Sequence, residues 1–244
     1  MTIDCYCTLG VDREYDLTAE KLLAALDEAG VDRAVIAPTD RHIAVNNREG
    51  NDHLLTVARQ YAGRFIASCS VNPWYGKEAV AELKRVIAGG ARMLILHPYV
   101  QGFIANDELV WPILDVAAAE RMPVYFHVGP YGSSTPFQVM SLANRYRGVD
   151  FIIGHCGATD FWYDVVAATR SAENCYVESS LARPFIFSNF VKQLDSSKGI
   201  MGSFAPINDL VFEWEQMRRF LPCPENDSVY GANLLRLLEK RGAL

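Results

Sequence analysis

The sequence predicts a single α/β domain closed into a (β/α)8 TIM barrel, and three observations carry that reading. Short β-branched or aromatic runs alternate with helical patterns along the whole chain, the signature of βα units on a parallel sheet. Eight such runs share 244 residues, close to the roughly 250 that eight units occupy. Three of the five histidines each close an apolar run, with Pro or Gly following within two residues: Leu96-His97-Pro98, Phe126-His127-Val128-Gly129 and Gly154-His155-Cys156-Gly157. They recur about once per strand-plus-helix unit of roughly thirty residues. That places three imidazoles at the carboxyl ends of successive strands, where such a barrel builds its site. An open doubly wound sheet is the alternative. No Gly-x-Gly-x-x-Gly turn follows the first strand, so a dinucleotide fold has no support.

Taken in order, the strands are expected near 2–8, 33–37, 65–71, 92–97, 123–127, 150–154, 174–179 and 199–203. Thr18 can cap a first helix whose Leu22, Leu23, Leu26 and Ala29 form one stripe, and Gly30 can end it. Asn51-Asp52 reads as a further helix cap. Asp107 can cap the segment carrying Val110, Leu114 and Ala117–Ala118, with Pro123 opening the next strand. Leu210, Trp214, Met217 and Leu221 advance by helical steps and share a face. A last helix near 227–241 is expected over the outside of the barrel. No linker, repeat or low-complexity tract divides residues 1–244, so one domain is expected.

Composition narrows the partners. A net charge of −6 and the lack of a Lys/Arg cluster argue against nucleic acid or an anionic membrane. No apolar run approaches the roughly eighteen residues that span a bilayer. The first strand begins at Thr2, leaving no room for a signal peptide. Cysteines at 5, 7, 69, 156, 175 and 223 stand mostly inside apolar runs, as buried thiols in a reducing compartment do. The expectation is a cytoplasmic protein with a small-molecule substrate.

Several motifs then line up along nearly the whole chain. They are Ile3-Asp4-Cys5-Tyr6-Cys7-Thr8, Asn51-Asp52, Val71-Asn72-Pro73, Leu96-His97-Pro98, Tyr125-Phe126-His127, Gly154-His155-Cys156-Gly157, Tyr176-Val177-Glu178-Ser179-Ser180, Gly202-Ser203-Phe204-Ala205-Pro206 and Asn233. In order and spacing the chain resembles the amidohydrolase-related (amidohydrolase-2) barrels, which include relatives of aminocarboxymuconate-semialdehyde decarboxylase.

The resemblance implies a divalent ion bound by Asp-x-His-x-His on the first strand, a later histidine and an aspartate in Gly-Ser-Asp-x-Pro. Here the two first-strand histidines are replaced by Tyr6 and Thr8, and the aspartate by Phe204. Phenylalanine neither coordinates an ion nor accepts a proton. Strand alternation puts Asp4, Tyr6 and Thr8 on one face and turns Cys5 and Cys7 toward the helices. A cysteine–zinc site is the alternative if that register fails. No tightly bound cofactor or metal is expected, with a weak divalent ion at His127 and His155 left open.

Some barrels of this likeness, such as pyrone-dicarboxylate lactonase, act without metal on activated esters. By that likeness, His127 and His155 are assigned as an acid/base pair and Tyr6 as a hydrogen-bond donor to an oxyanion. The expected substrate is a lactone, keto acid or aromatic acid. His97 and Gln101 would orient it, Thr8 and Phe204 would line the pocket, and Asp160 and Arg183 would reach the mouth. Five of these have a plainer reading: His97 as a loop brace, Tyr6 and Phe204 as filling for a lost ion's space, Asp160 and Arg183 as surface charges. Asp4 reads as an acceptor for loop amides. His42 and His53 read as solvent-facing, and Cys156 as turned from the pocket. The rival hypothesis is a non-catalytic barrel that serves as a binding protein or as partner of an active, metal-bearing paralogue; a homo-oligomer or pairing with a paralogous barrel is the assembly considered.

Overall fold

The computed structural model describes residues 1–129, 132–158 and 160–240. Among these residues ten strands form in chain order. They are β1 (Ile3–Thr8), β2 (Gly10–Val11), β3 (Asp16–Leu17), β4 (Arg33–Ala37), β5 (Phe65–Cys69), β6 (Met93–Leu96), β7 (Val124–Phe126), β8 (Phe151–Ile153), β9 (Cys175–Glu178) and β10 (Gly199–Ile200). Strands β2 and β3 pair as a small antiparallel hairpin; the other eight run in the order β1-β4-β5-β6-β7-β8-β9-β10. Every neighbouring pair among those eight is parallel. The last strand returns to the first through Cys5 N to Met201 O (3.0 Å), Phe204 N to Tyr6 O (3.0 Å) and Thr8 N to Ala205 O (2.7 Å). Those bonds close the barrel.

The principal outer helices are α1 (Ala19–Ala29), α2 (Asp40–Ala44), α3 (Asn47–Gln60), α4 (Lys77–Gly89), α5 (Pro98–Gln101), α6 (Trp111–Ala119), α7 (Pro136–Arg145), α8 (Val165–Arg170), α9 (Pro184–Leu194) and α10 (Leu210–Phe220). The final helix is α11 (Ala232–Glu239). Thr18 caps α1 through Lys21 N, and Gly30 ends it in the left-handed conformation that glycine adopts without a Cβ clash. Asn51 is not a cap: it lies inside α3, where its amide clamps Ser70 O at 3.0 Å and Ser70 N at 2.9 Å. No helix among the described residues is long and apolar enough to cross a membrane.

Alternation along each strand sorts the core into two shells. Met93 and Ile95, Tyr125, Ile152 and Tyr176 point inward with Ile3, Val35 and Ile200. Leu94, Phe126, Phe151 and Val177 point outward against the helices. Helix α11 does not lie over the outside as the sequence suggested. Its Leu234, Leu237 and Leu238 join the interior cluster and plug the amino end of the barrel. Lys240, just past α11, fixes it there through Asp150 at 2.7 Å.

The first strand breaks the expected alternation. Its register with β4 shifts between Asp4 and Cys7, as a β-bulge does when one extra residue enters a strand. Cys5 and Tyr6 consequently both belong to the interior, while Cys7 faces the helices. Asp4 points outward and accepts from Trp214 Nε1 (2.7 Å), Ser203 N (3.1 Å) and Tyr6 N (3.1 Å). One carboxylate thus holds the bulge, the closing seam and α10 together. Asp4→Ala strands three buried donors, each costing about 1–3 kcal/mol. Part of that loss is offset because the carboxylate is itself costly to bury. A drop in melting temperature of roughly 10 °C is the expected result; thermal unfolding of the purified variant checks it.

Candidate active site at the carboxyl end of the barrel

Inward-pointing residues continue past the strands by the same parity. His97 follows Ile95 by two, His127 follows Tyr125 by two, and Glu178 follows Tyr176 by two. They meet beneath a cavity of about 270 Å³ whose wall includes His97, His127, Ser134, His155 and Phe204, with Asp40 at its rim. His97 stacks on His127 with ring centroids 4.0 Å apart and planes 12° from parallel. Phe204 packs on His155 at 4.6 Å. His155, Cys156, Ala158, Leu181 and Phe204 all have positive φ without being glycine. Such backbone costs of order 1–3 kcal/mol per residue and persists where surroundings over-determine it.

Beneath the cavity runs one continuous chain of hydrogen bonds. Tyr6 Oη meets His127 Nε2, His127 Nδ1 meets His155 Nε2, and His155 Nδ1 meets Ser180 Oγ, each at 2.7 Å. Ser180 Oγ donates to Glu178 Oε2 at 2.8 Å, and Tyr125 Oη donates to the same oxygen at 2.7 Å. The backbone N–H groups of His155 (3.0 Å) and Ser180 (2.6 Å) complete the carboxylate's four donors. Glycine makes room for this pair: a Cβ on Gly154 would strike the Tyr125 phenol, and one on Gly202 would strike Glu178 Oε1.

The direction of the chain follows from what each group can donate. An ionised carboxylate only accepts, so Ser180 donates to Glu178 and must accept from His155 Nδ1–H. His155 Nε2 is then a lone pair that accepts from His127 Nδ1–H. His127 Nε2 in turn accepts from the Tyr6 phenol. Every proton points toward Glu178. His97 stands outside this chain: its Nδ1 accepts from Val100 N at 3.5 Å at the start of α5, which leaves Nε2–H as its free donor.

Burial sets the charge states. It holds His127 well below the ordinary imidazole value, helped by His97 and His155. It lowers His155 to about 3 and His97 to about 4. It raises the Tyr6 phenol well above its usual value and raises the Glu178 carboxyl, against the pull of Glu178's donors. Asp40 is raised by shielding and by Asp12 and Glu14 beside it.

A depressed imidazole gives stability that is fully present above its unfolded value of 6.5 and is lost as pH falls toward the folded value. For His97 the span from 6.5 to about 4 amounts to about 3 kcal/mol. Half-buried Glu213 acts oppositely, losing stability as pH rises from 4.5 through about 7. Asp4, Asp40 and Glu178, whose carboxyls burial raises, act as Glu213 does, so the imidazole contribution is read as a difference. Between pH 7 and 4.5 His97→Asn is expected to lose less stability than the wild type; calorimetry of both proteins across that range checks this.

Comparison with known proteins gives the family. The family model described as Amidohydrolase (Amidohydro_2) matches residues 10–221. The chain belongs to this amidohydrolase family. Among solved structures it is similar to 5-carboxyvanillate decarboxylase from Sphingomonas paucimobilis, with 16% identity, TM-score 0.77, and coverage of 97% of this chain and 98% of that one. It is also similar to 2,6-dihydroxybenzoate decarboxylase from Rhizobium, with 13% identity, TM-score 0.80 and 99% of each chain covered. A dihydroxybenzoic acid decarboxylase from Polaromonas sp. JS666, with bound manganese and the inhibitor 2-nitroresorcinol, aligns at 13% identity and TM-score 0.79 over 99% of this chain and 98% of that one. At these identities the likeness shows the fold. A comparison with curated protein sequences found no match.

The residues of this chain do not fit a divalent ion as they stand. Two imidazole nitrogens on one tetrahedral zinc lie about 3.3 Å apart, given bonds of about 2.0–2.1 Å. His127 Nδ1 and His155 Nε2 are 2.7 Å apart, a hydrogen-bond distance. The remaining nitrogens of both rings are engaged by Tyr6 and Ser180. Among the described residues, no three His, Cys, Asp or Glu side chains converge as ligands. Cys5, though interior, is fully buried, and that burial, with Glu178 and Asp4 adding to it, pushes its thiol well above the usual value; a thiolate ligand there is disfavoured.

The structure brings His97, His127, His155 and Phe204 together on one cavity. Other expected site residues move elsewhere. The Tyr6 hydroxyl is committed to His127 and Tyr6 is 1% exposed, so it is not free to serve an oxyanion. Gln101 is buried: its amide donates to Ile43 O and Val71 O while its oxygen takes His97 N. It positions His97 instead of substrate. Thr8 is buried beside the Tyr6 and Tyr15 phenols, away from the cavity wall. Asp160 and Arg183 are exposed and off that wall. His42 is half-buried on Thr39 (3.0 Å), not solvent-facing, whereas His53 is exposed. Sequence reasoning missed Glu178, Ser180, Ser134 and Asp40. Glu178 carried a usable signal, since a charged residue at inward parity ends an apolar strand.

Proposed function

We propose that this amidohydrolase is an enzyme that acts on a small activated carbonyl compound by acid/base catalysis without a tightly bound metal. The observation that supports it is the one-way hydrogen-bond chain from Tyr6 through His127, His155 and Ser180 to Glu178. Imidazoles this reluctant to hold charge are poor terminal bases. The chain removes that difficulty. A proton taken up at His127 Nε2, in place of the Tyr6 hydrogen bond, lets His127 pass its Nδ1 proton to His155. His155 passes its own through Ser180 to Glu178, whose burial raises its affinity for a proton. No imidazolium accumulates.

The carbonyl oxygen would face His97 Nε2–H and the Ser134 hydroxyl. A neutral imidazole held by a helix start can polarise a carbonyl in this way. Lactone or activated-ester hydrolysis fits these groups best, because water need only lose a proton as it attacks. The test is turnover of a lactone and aryl-ester panel by chelated protein. Activity that survives chelation supports the reading; activity that appears only with added Mn2+ or Zn2+ overturns it. One observation favours the rival, a non-catalytic binding barrel: all four nitrogens of His127 and His155 are already engaged. Binding without turnover across the panel would establish that rival.

A further inference from the structure

We propose that the cavity selects an uncharged carbonyl compound over a carboxylate, with Asp40 excluding the anion and the Ser134 hydroxyl binding the carbonyl. The inference deepens the reading of this cavity as the reaction site and narrows its substrate class.

The first support is the charge on the wall. Among the described residues neither Lys nor Arg lines the cavity, and the one carboxylate that does is Asp40. Segments 97–101, 128–134, 156–160 and 203–207 contain no Lys or Arg. Arg183 is exposed and off the wall. Asp40 is shared with an adjoining groove that holds Asp12 and Glu14 with Arg13 and Arg41, so the approach carries three carboxylates against two guanidiniums. The imidazoles add no positive charge near neutrality, since burial keeps them uncharged. Glu178 places a further acid behind His155. A carboxylate that enters passes a net negative approach and, inside the cavity, meets Asp40 with no cation to offset it, in a recess that screens it less than bulk water does.

The second support is independent. Ser134 is 2% exposed, lines the cavity, and its Oγ has no hydrogen-bond partner among the described residues. A buried hydroxyl left unpaired is costly, and a ligand acceptor in the cavity would satisfy it. The volume of about 270 Å³ lies just below the range of roughly 300–1,000 Å³ for drug-sized ligands. A single ring or fused bicycle therefore suits it, against the face of Phe204.

Acetophenone and benzoate are a matched pair of equal heavy-atom count, one neutral and one anionic. Their dissociation constants for the full chain are measured by NMR titration at mildly alkaline pH, where Asp40 is ionised. Wild type is expected to prefer acetophenone by at least about tenfold, or 1.4 kcal/mol. Asp40→Asn should bring the two within about threefold by strengthening benzoate, and Ser134→Ala should weaken acetophenone about fivefold. Equal or tighter binding of benzoate by wild type overturns the proposal, as does the absence of saturable acetophenone binding. The two readings fail separately. Acetophenone preference without lactone turnover sinks only the catalytic reading, while turnover of an aromatic acid sinks only the neutral-substrate inference.

Discussion

Turnover of an activated lactone or ester is expected to fall about 10²–10⁴-fold when His155 is replaced by alanine, the usual contribution of a positioned acid/base. His155 is the middle of the chain, bonded to His127 on one side and Ser180 on the other. Its loss disconnects His127 from Glu178, so a proton taken up at His127 would have to remain there. Burial makes that state costly. His127→Ala should cost about as much, and the double variant little more than either single one, because residues that act as a unit are non-additive. Steady-state kinetics of the three proteins check this. Additive losses would show that the imidazoles act separately.

The largest stability effect is expected at Glu178. Its carboxylate takes Tyr125 Oη, Ser180 Oγ, Ser180 N and His155 N. Alanine leaves all four without an acceptor in a fully buried site. Each unpaired donor costs about 1–3 kcal/mol, while the charge itself is unfavourable to bury. We expect a net loss of about 3–5 kcal/mol and a melting temperature lower by roughly 10 °C or more. Glu178→Gln keeps one acceptor oxygen but places an NH2 against donors, so an intermediate loss is expected. Thermal unfolding of both variants decides it, and an unchanged melting temperature for Glu178→Ala would contradict the assigned network.

Much of this was legible in the sequence, for identifiable reasons. Apolar runs ending in His97, His127 and His155 marked both strand ends and the site; for His97 and His127 the parity set by Ile95 and Tyr125 is local, whereas His155, three past Ile152, is turned in by its positive φ. The replacement of metal ligands by Tyr6, Thr8 and Phe204 was equally visible. What escaped was non-local. A bulge between Asp4 and Cys7 depends on closure with residues 201–205, so strict alternation misplaced Cys5. The stripe of Leu234, Leu237 and Leu238 shows a buried face but not whether it covers the outside or plugs the end. Gln101 looked free because its partners, Ile43 and Val71, come from other βα units. Glu178 was passed over although Tyr176 set its parity.

His127 and His155 form a mutually hydrogen-bonded pair, which we read as neutral and not as two arms of a metal site. Long-range 1H–15N correlation spectra of 15N-histidine-labelled protein test it most directly. Spectra are recorded after chelation and again with added Zn2+. Both rings are expected to be neutral near pH 7 and protonated at Nδ1, with no change on adding the ion. Imidazolium signals, protonation at Nε2, or shifts of both rings at stoichiometric Zn2+ would contradict it.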